Sequence, residues 1–86
     1  MSDTTIRRLD SGGTSSTLVV SEVPTGAIND TNTDFVLAHT PASGTLAVYL
    51  NGARQQVTTD YTLATATITF LAAPLTGSIL LCDYEY

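Results

Sequence analysis

Few residues in this chain of 86 could carry out acid–base or nucleophilic chemistry. It has one histidine, His39, and one cysteine, Cys82. A small hydrolase would need His39 beside a nucleophile such as Ser43 or Cys82, with a carboxylate to orient the ring. His39 instead lies in a turn-like segment that ends at Pro41, and Cys82 lies within an alternating strand pattern. We therefore expect a loop histidine, an inert core thiol and no catalytic residue.

An acidic run suggests a metal site at first. Asp30, Asn32 and Asp34 stand at every second position, as at the start of a calcium-binding loop. The pattern then fails, because Phe35 stands where the loop needs glycine and Pro41 stands where it needs a bidentate glutamate. Asn and Asp side chains also bond to nearby backbone groups in turns. This second role explains the run, and we expect no metal.

A second pair of carboxylates, Asp83 and Glu85, stands in the last predicted strand, residues 78–86. Residues two apart in a strand point to the same face. The opposite face carries Leu80, Cys82, Tyr84 and Tyr86. The two carboxylates therefore predict a solvated strand face, not the acid and base of an active site, and we expect no cofactor.

Four tyrosines are candidates for a binding surface. Tyr49, Tyr61, Tyr84 and Tyr86 could together form a platform for sugar rings. Each would also suit a half-buried sheet or a contact between subunits, because a tyrosine has an apolar ring and a polar hydroxyl. A carbohydrate-binding or host-receptor-binding module predicts that they cluster at the surface, beside Asp or Asn.

The charge balance argues against nucleic acid as a partner. Lys and Arg total 3, Asp and Glu total 8, and the formal net charge is −5. Proteins that bind nucleic acid neutralise phosphates with clustered Lys and Arg. No apolar run approaches the ~18 residues of a membrane span, and the polar start, residues 1–5, is unlike a signal peptide. We therefore expect no membrane partner either.

The size of the chain favours association. Its 9.0 kDa allow one domain with a small core, and its single cysteine cannot form an internal disulfide. Charged residues make up only 13% of the chain, against 43% hydrophobic residues. Small domains with limited cores are often stabilised by oligomerisation. We expect a structural or interaction module without enzymatic activity.

Residues 1–16 differ from the rest and are interpreted as an N-terminal arm. Two of the three basic residues, Arg7 and Arg8, stand between Ile6 and Leu9. The segment 11–16 that follows has the composition of a flexible linker. The arm is either a loose terminus or a docking segment. In the second case Ile6 and Leu9 would fill apolar pockets, and the arginines would pair with acids of a neighbour.

From residue 17 onward the pattern is typical of β-structure. Short β-branched and aromatic runs alternate with turn residues about every 8–12 positions. The run 45–50 alternates apolar residues on one face, and Asn51-Gly52 follows it as a strong hairpin signal, with residues 53–57 returning. A second hairpin is predicted between residues 60–63 and 67–71. These features predict an all-β domain over residues 17–86, a small antiparallel β-sandwich or barrel of six to seven short strands.

The same residues resemble a small β module of tailed-bacteriophage virion proteins. The resemblance rests on the motif Tyr-Leu-Asn-Gly-x-Arg-Gln at residues 49–55 and on Asp-Tyr-Thr at residues 60–62. Residues 23–41 and 67–70, and Ala73-Pro74, are also similar. The likeness covers residues 23–86, about three quarters of the chain.

The resemblance implies a non-enzymatic structural protein of the virion, assembled in the host cytoplasm. Such modules form symmetric homo-oligomers, for which a trimer is one option, and bind other virion proteins. The leading interpretation is a tail-associated part, in a fibre, baseplate or neck attachment. A capsid decoration protein on the head surface is the alternative, and a module that binds host carbohydrate or receptor is a second one.

Partner contacts are expected from the arm and from exposed polar or aromatic residues of the strands. The candidate residues are Ile6, Arg7, Arg8, Leu9, Tyr49, Arg54, Tyr84 and Tyr86.

Overall fold

The computed structural model of the protein describes residues 16–86, which form an all-β domain. No helix occurs in this part of the chain, and hence none that could cross a membrane. The strands are β1 (Leu18–Glu22), β2 (Asp34–Val36), β3 (Ala47–Leu50), β4 (Ala53–Gln55), β5 (Tyr61–Ala64), β6 (Thr67–Phe70) and β7 (Leu80–Glu85).

The strands form two antiparallel sheets. One has four strands in the order β1-β7-β3-β4, and the other has three in the order β2-β6-β5. The side chains on the facing sides alternate with those pointing outward, as in β6, where every second residue is buried. The prediction of a small antiparallel β fold with six to seven short strands is confirmed.

Both predicted hairpins are present. Asn51 and Gly52 have φ angles of 53° and 84°, the positive values that a type I′ turn requires at both positions. The return strand ends at Gln55, two residues earlier than expected. The chain turns after this strand, where the Gln56 amide nitrogen donates to the Asp60 carboxylate at 2.7 Å. In the second hairpin Thr65 takes a positive φ of 56°, a conformation that is costly for a β-branched residue.

The core lies between the two sheets. Phe35 and Phe70 of the three-stranded sheet meet edge to face, with ring centroids 5.8 Å apart, a favourable geometry for aromatic rings. Strand β7 contributes every second residue from the other sheet. The buried cluster consists of Phe35, Leu37, Val48, Tyr61, Ile68, Phe70, Leu80, Cys82 and Tyr84.

The sandwich has two ends: a terminal end, where Thr17 and Tyr86 lie, and a far end opposite to it. At the terminal end, Thr17 and Tyr86 exchange backbone hydrogen bonds of 2.8 and 3.0 Å. At the far end, the loop of residues 71–79 crosses from β6 to β7, and the Asn51 side chain accepts a hydrogen bond from the Ile79 amide at 2.9 Å. Strand β1 runs from the terminal end towards the far end, so the described chain begins at the terminal end.

Candidate interaction surfaces

Two residues predicted to contact partners, Tyr49 and Arg54, lie together on the four-stranded sheet. They are directly opposite each other on β3 and β4, and Leu81 of β7 lies opposite Tyr49 on its other side. Val48 is fully buried, so alternation places the next residue, Tyr49, on the side turned away from the core. The tyrosine is half-buried and the arginine is exposed.

We name this side of the four-stranded sheet the outer face. It carries Tyr49 and Arg54, two residue types that are enriched at protein interfaces, together with aliphatic side chains and two carboxylates. Leu18, which lies opposite Glu85, is 66% exposed. The residues of the outer face are Leu18, Ala47, Tyr49, Arg54, Leu81, Asp83 and Glu85.

One carboxylate of the outer face also has a structural role. The pairing of β1 with β7 shifts register between Val19 and Glu22, so that two residues of β1 oppose Asp83 alone. Ser21 lies in this bulge with a φ of 58°, and its amide nitrogen donates to Asp83 Oδ1 at 2.7 Å. The aspartate therefore satisfies a backbone donor that the bulge removes from the ladder.

A groove of about 690 Å³ opens between the edge strands β4 and β5. Its walls carry Leu46 and Leu63 as well as Arg54 and Gln55. Tyr61 lines the groove at only 3% exposure, and burial raises the pKa of its hydroxyl, an effect that the nearby Arg54 charge partly offsets. Arg54 thus borders both the groove and the outer face.

Tyr84, another predicted contact residue, belongs to the core. It is 1% exposed, and its hydroxyl donates to Glu22 Oε1 at 2.5 Å and accepts from the His39 amide at 3.2 Å. Glu22 Oε2 accepts from the Ala38 amide at 2.7 Å. Since Ala38 follows a strand of the three-stranded sheet, the carboxylate links the two sheets. The structure thus gives Tyr84 an internal role, and its ring is not offered to a partner.

The four tyrosines do not form one surface platform. Tyr61 and Tyr84 are buried, Tyr49 lies on the outer face, and Tyr86 at the terminal end is 42% exposed. The Tyr86 ring stacks on that of exposed His39, with centroids 3.7 Å apart and planes 6° from parallel. The terminal end therefore presents one aromatic pair, built from a predicted contact residue and the loop histidine.

The acidic run of the sequence organises a turn. Asp30 Oδ1 accepts from the Thr76 amide at 2.6 Å, and the Asn32 side-chain amide donates to the Asp34 carbonyl at 2.9 Å. The Thr69 hydroxyl donates to the Asp34 carboxylate at 3.0 Å. These polar atoms bond to the protein itself, as Asx side chains do in turns. Within residues 16–86 no group of three or more His, Cys, Asp or Glu is placed to hold a metal ion.

Cys82 lies in the middle of the core. It is fully buried, and burial, with the nearby charges of Glu22 and Asp83, raises its thiol pKa to about 12. The thiolate is the nucleophilic form of cysteine. The folded protein therefore holds Cys82 as a small apolar side chain.

The pKa values of Cys82 and Tyr84 predict that stability falls at high pH. Burial, with the hydrogen bond to Glu22, raises the pKa of Tyr84 from 10.0 to about 12, and that of Cys82 rises from 9.0 to about 12. Because the unfolded chain loses these protons first, their contribution is complete below pH 9 and is lost as pH rises towards 12. Urea midpoints followed by circular dichroism should therefore decline from pH 9 to 12. Tyr84→Phe should decline less steeply, and a midpoint constant to pH 11 would contradict the expectation.

The far end carries three exposed apolar side chains that no sequence pattern predicted. Leu71, Leu75 and Ile79 are 62–68% exposed in the loop that joins the sheets, and the first two line a groove of about 310 Å³. They stand in irregular chain without period-two alternation. Their exposure therefore could not be predicted from a local pattern.

The remaining predicted contact residues, Ile6, Arg7, Arg8 and Leu9, lie outside the described residues. Their assignment to a docking arm stays a prediction.

The fold and its surfaces define a small antiparallel two-sheet domain of the all-β class. Comparison with protein-family models, with curated proteins and with solved structures found no match to this chain.

Proposed function

We propose that this protein is a non-enzymatic structural protein of a tailed-phage virion. Its N-terminal arm and β module join neighbouring subunits in a tail-associated part, such as a fibre, baseplate or neck attachment. The partners are other virion proteins and further copies of the chain.

The observation that carries this proposal is the amount of apolar surface outside the core. Ten large apolar side chains within residues 16–86 are 37–68% exposed. Scattered single residues of this kind are normal, but three of them share the far-end loop, and Leu18 lies on the outer face beside the half-buried Leu81 and Tyr49. Contiguous apolar patches on small proteins commonly mark contacts with other proteins. Association with neighbours would bury them.

The choice of a virion, and of the tail within it, rests on the resemblance of residues 23–86. The fold is compatible with this choice. The first motif spans the turn of the β3–β4 hairpin at Asn51-Gly52, and the second motif leads into strand β5 of the other hairpin. The position in the particle is the part that experiment must decide.

The test uses phage particles that encode this chain. Tails and heads are purified separately, and the chain is quantified in each by mass spectrometry. We expect it in the tail fraction at a fixed ratio to a known tail protein. Recovery in heads alone would favour capsid decoration, and absence from particles would overturn the proposal.

A truncation tests the part assigned to the arm. Particles that assemble with a chain lacking residues 1–16 should lose most of the protein. Circular dichroism of the purified truncated chain is the control, because it separates lost attachment from lost folding. Full occupancy by the folded truncated chain would show that the arm is not the tether.

The receptor-binding alternative is tested on the exposed tyrosines. Saturable binding on a glycan array that disappears in Tyr49→Ala or Tyr86→Ala would favour it. Tyr61 is 3% exposed, and its substitution would report on folding instead.

A further inference from the structure

We propose that the outer face of the four-stranded sheet binds the Ile6–Leu9 segment of a neighbouring copy. The inference rests on the proposed assembly function and deepens it, since it names the surface on which the arm docks. Its partner is therefore a second copy of this chain.

The charges of the chain are divided between its two parts. Residues 16–86 contain six carboxylates and one arginine, a net charge of −5, whereas residues 1–15 contain two aspartates and two arginines, a net charge of zero. The arginines, Arg7 and Arg8, are adjacent and flanked by apolar residues. A basic and apolar segment thus precedes an acidic module in the same chain.

Most carboxylates of the module are engaged inside it. Those of Asp30, Asp34, Asp60 and Glu22 each accept hydrogen bonds from backbone or side-chain groups. Among the described residues, no hydrogen bond to the Glu85 carboxylate is present, and Asp83, like Asp30, Asp34 and Asp60, is bonded through one oxygen only. Within the described residues, Asp83 and Glu85 are the two carboxylates that share one face of a single strand, and only one of their four oxygens is bonded there.

The outer face also fits the apolar residues of the segment. Leu18 lies opposite Glu85, and Leu81 precedes Asp83 by two positions on the same side of β7. Residues two apart in extended chains are about 7 Å apart and point the same way. In an extended arm, Ile6 and Arg8 would have this same spacing and direction. Ile6 could then contact Leu81 while Arg8 pairs with Asp83 on β7.

Strand direction favours a neighbouring copy over the same chain. Thr17 is paired with Tyr86 at the terminal end, and β1 runs from there towards the far end. An arm that continued in the direction of β1 would leave beyond the end of the module, and it would need a reversal to reach its own outer face. The eleven residues from Ile6 to Ser16 span up to about 36–40 Å when extended, enough to reach another subunit.

The experiment measures transfer of a paramagnetic effect between copies of the full-length protein. Ser2→Cys introduces a thiol for a spin label, while native Cys82, fully buried, stays unlabelled in the folded chain. Spin-labelled protein without isotope is mixed with ¹⁵N-labelled protein that has no spin label. Any loss of amide signal in this mixture comes from contacts between copies.

We expect amides of the outer face, such as Leu81, Asp83 and Glu85, to lose at least half of their intensity. Those of Thr62, Thr67 and Thr69 on the opposite sheet should keep theirs. Even loss over both sheets, or no loss at all, would overturn the inference. A further sample carries the spin label and ¹⁵N on the same chain. If amide intensity is lost only in that sample, the arm docks within its own chain, and this result would also overturn the inference.

Charge variants test the recognition. Arg7→Glu with Arg8→Glu should abolish the effect, and so should Asp83→Asn with Glu85→Gln, which keeps an acceptor for the Ser21 amide. The matched control is Asp30→Asn with Asp34→Asn, which removes two charges elsewhere and should leave the effect intact. If the control variant abolishes the effect as fully as the outer-face variant does, the arm is attracted by net charge alone. That result would contradict a specific site.

This outcome is separable from that of the particle experiment. If the chain is present in tails but the outer face shows no effect, the docking surface is wrong and the virion function stands. If the chain is absent from particles, the virion function fails whatever the spectra show.

Discussion

Gly26→Ala should lower the free energy of unfolding by about 3 kcal/mol. A Cβ at this position would lie 2.5 Å from Phe35 Cδ2 and 2.9 Å from the Asp34 carbonyl oxygen, and the φ of Gly26 is 153°. Neither neighbour can yield easily. Phe35 is fully buried, and Thr25, next to Gly26, is held to Val36 by two backbone hydrogen bonds of 2.9 Å.

The matched control is Gly44→Ala. Gly44 also has a positive φ, of 77°, but no atom lies within 4 Å of the position its Cβ would take. Its substitution should therefore cost only about 1 kcal/mol, the cost of the backbone conformation. Urea unfolding of both variants measures the difference, and equal losses would show that the contact with Phe35 has no energetic weight.

Glu22→Ala should destabilise the protein by roughly 2–4 kcal/mol. The variant removes the acceptor of the Tyr84 hydroxyl at 2.5 Å and of the Ala38 amide at 2.7 Å. It leaves the hydroxyl of a side chain that is 1% exposed without this partner. Hydrogen bonds to charged groups contribute more than neutral ones, and burial raises the cost of leaving a donor unpaired.

Glu85→Ala is the glutamate control, measured by the same urea unfolding. Glu85 is also half-buried and lies on the neighbouring strand, but its carboxylate takes part in no hydrogen bond among the described residues. We expect its substitution to change stability by less than about 0.5 kcal/mol. A loss as large as that of Glu22→Ala would mean that negative charge, and not the link between sheets, stabilises the domain.

The local parts of the fold could be predicted because they depend on neighbouring residues. Asn51-Gly52 predicts a type I′ turn, since both residues adopt positive φ at low cost. The alternation in β7 likewise predicts which side of the strand is buried, since side chains in a strand change face at every step. In the second predicted hairpin the register pairs Tyr61 with Phe70 and Leu63 with Ile68.

The candidate surfaces were predicted less well, because exposure depends on which elements pack together. Tyr84 has the composition of an interface residue, but its position opposite Val19 in the centre of a sheet places it in the core. Leu71 and Ile79 look like core residues and are exposed, since the loop that carries them passes over the far end. Asp83 and Glu85 were expected on a solvated strand face, and the packing places them beside Leu18 and Leu81.

The sequence by itself determined the strand class, the two hairpins and the alternating faces of the last strand. These follow from backbone preferences and from the period of two, which act over a few residues. Only the tertiary structure decided the order of strands in the sheets, the pairing of Tyr49 with Arg54, the link from Glu22 to Tyr84 and the placement of Leu18 opposite Glu85. Such contacts join residues that are 62 positions apart in the case of Glu22 and Tyr84, and no local pattern contains the information that brings them together.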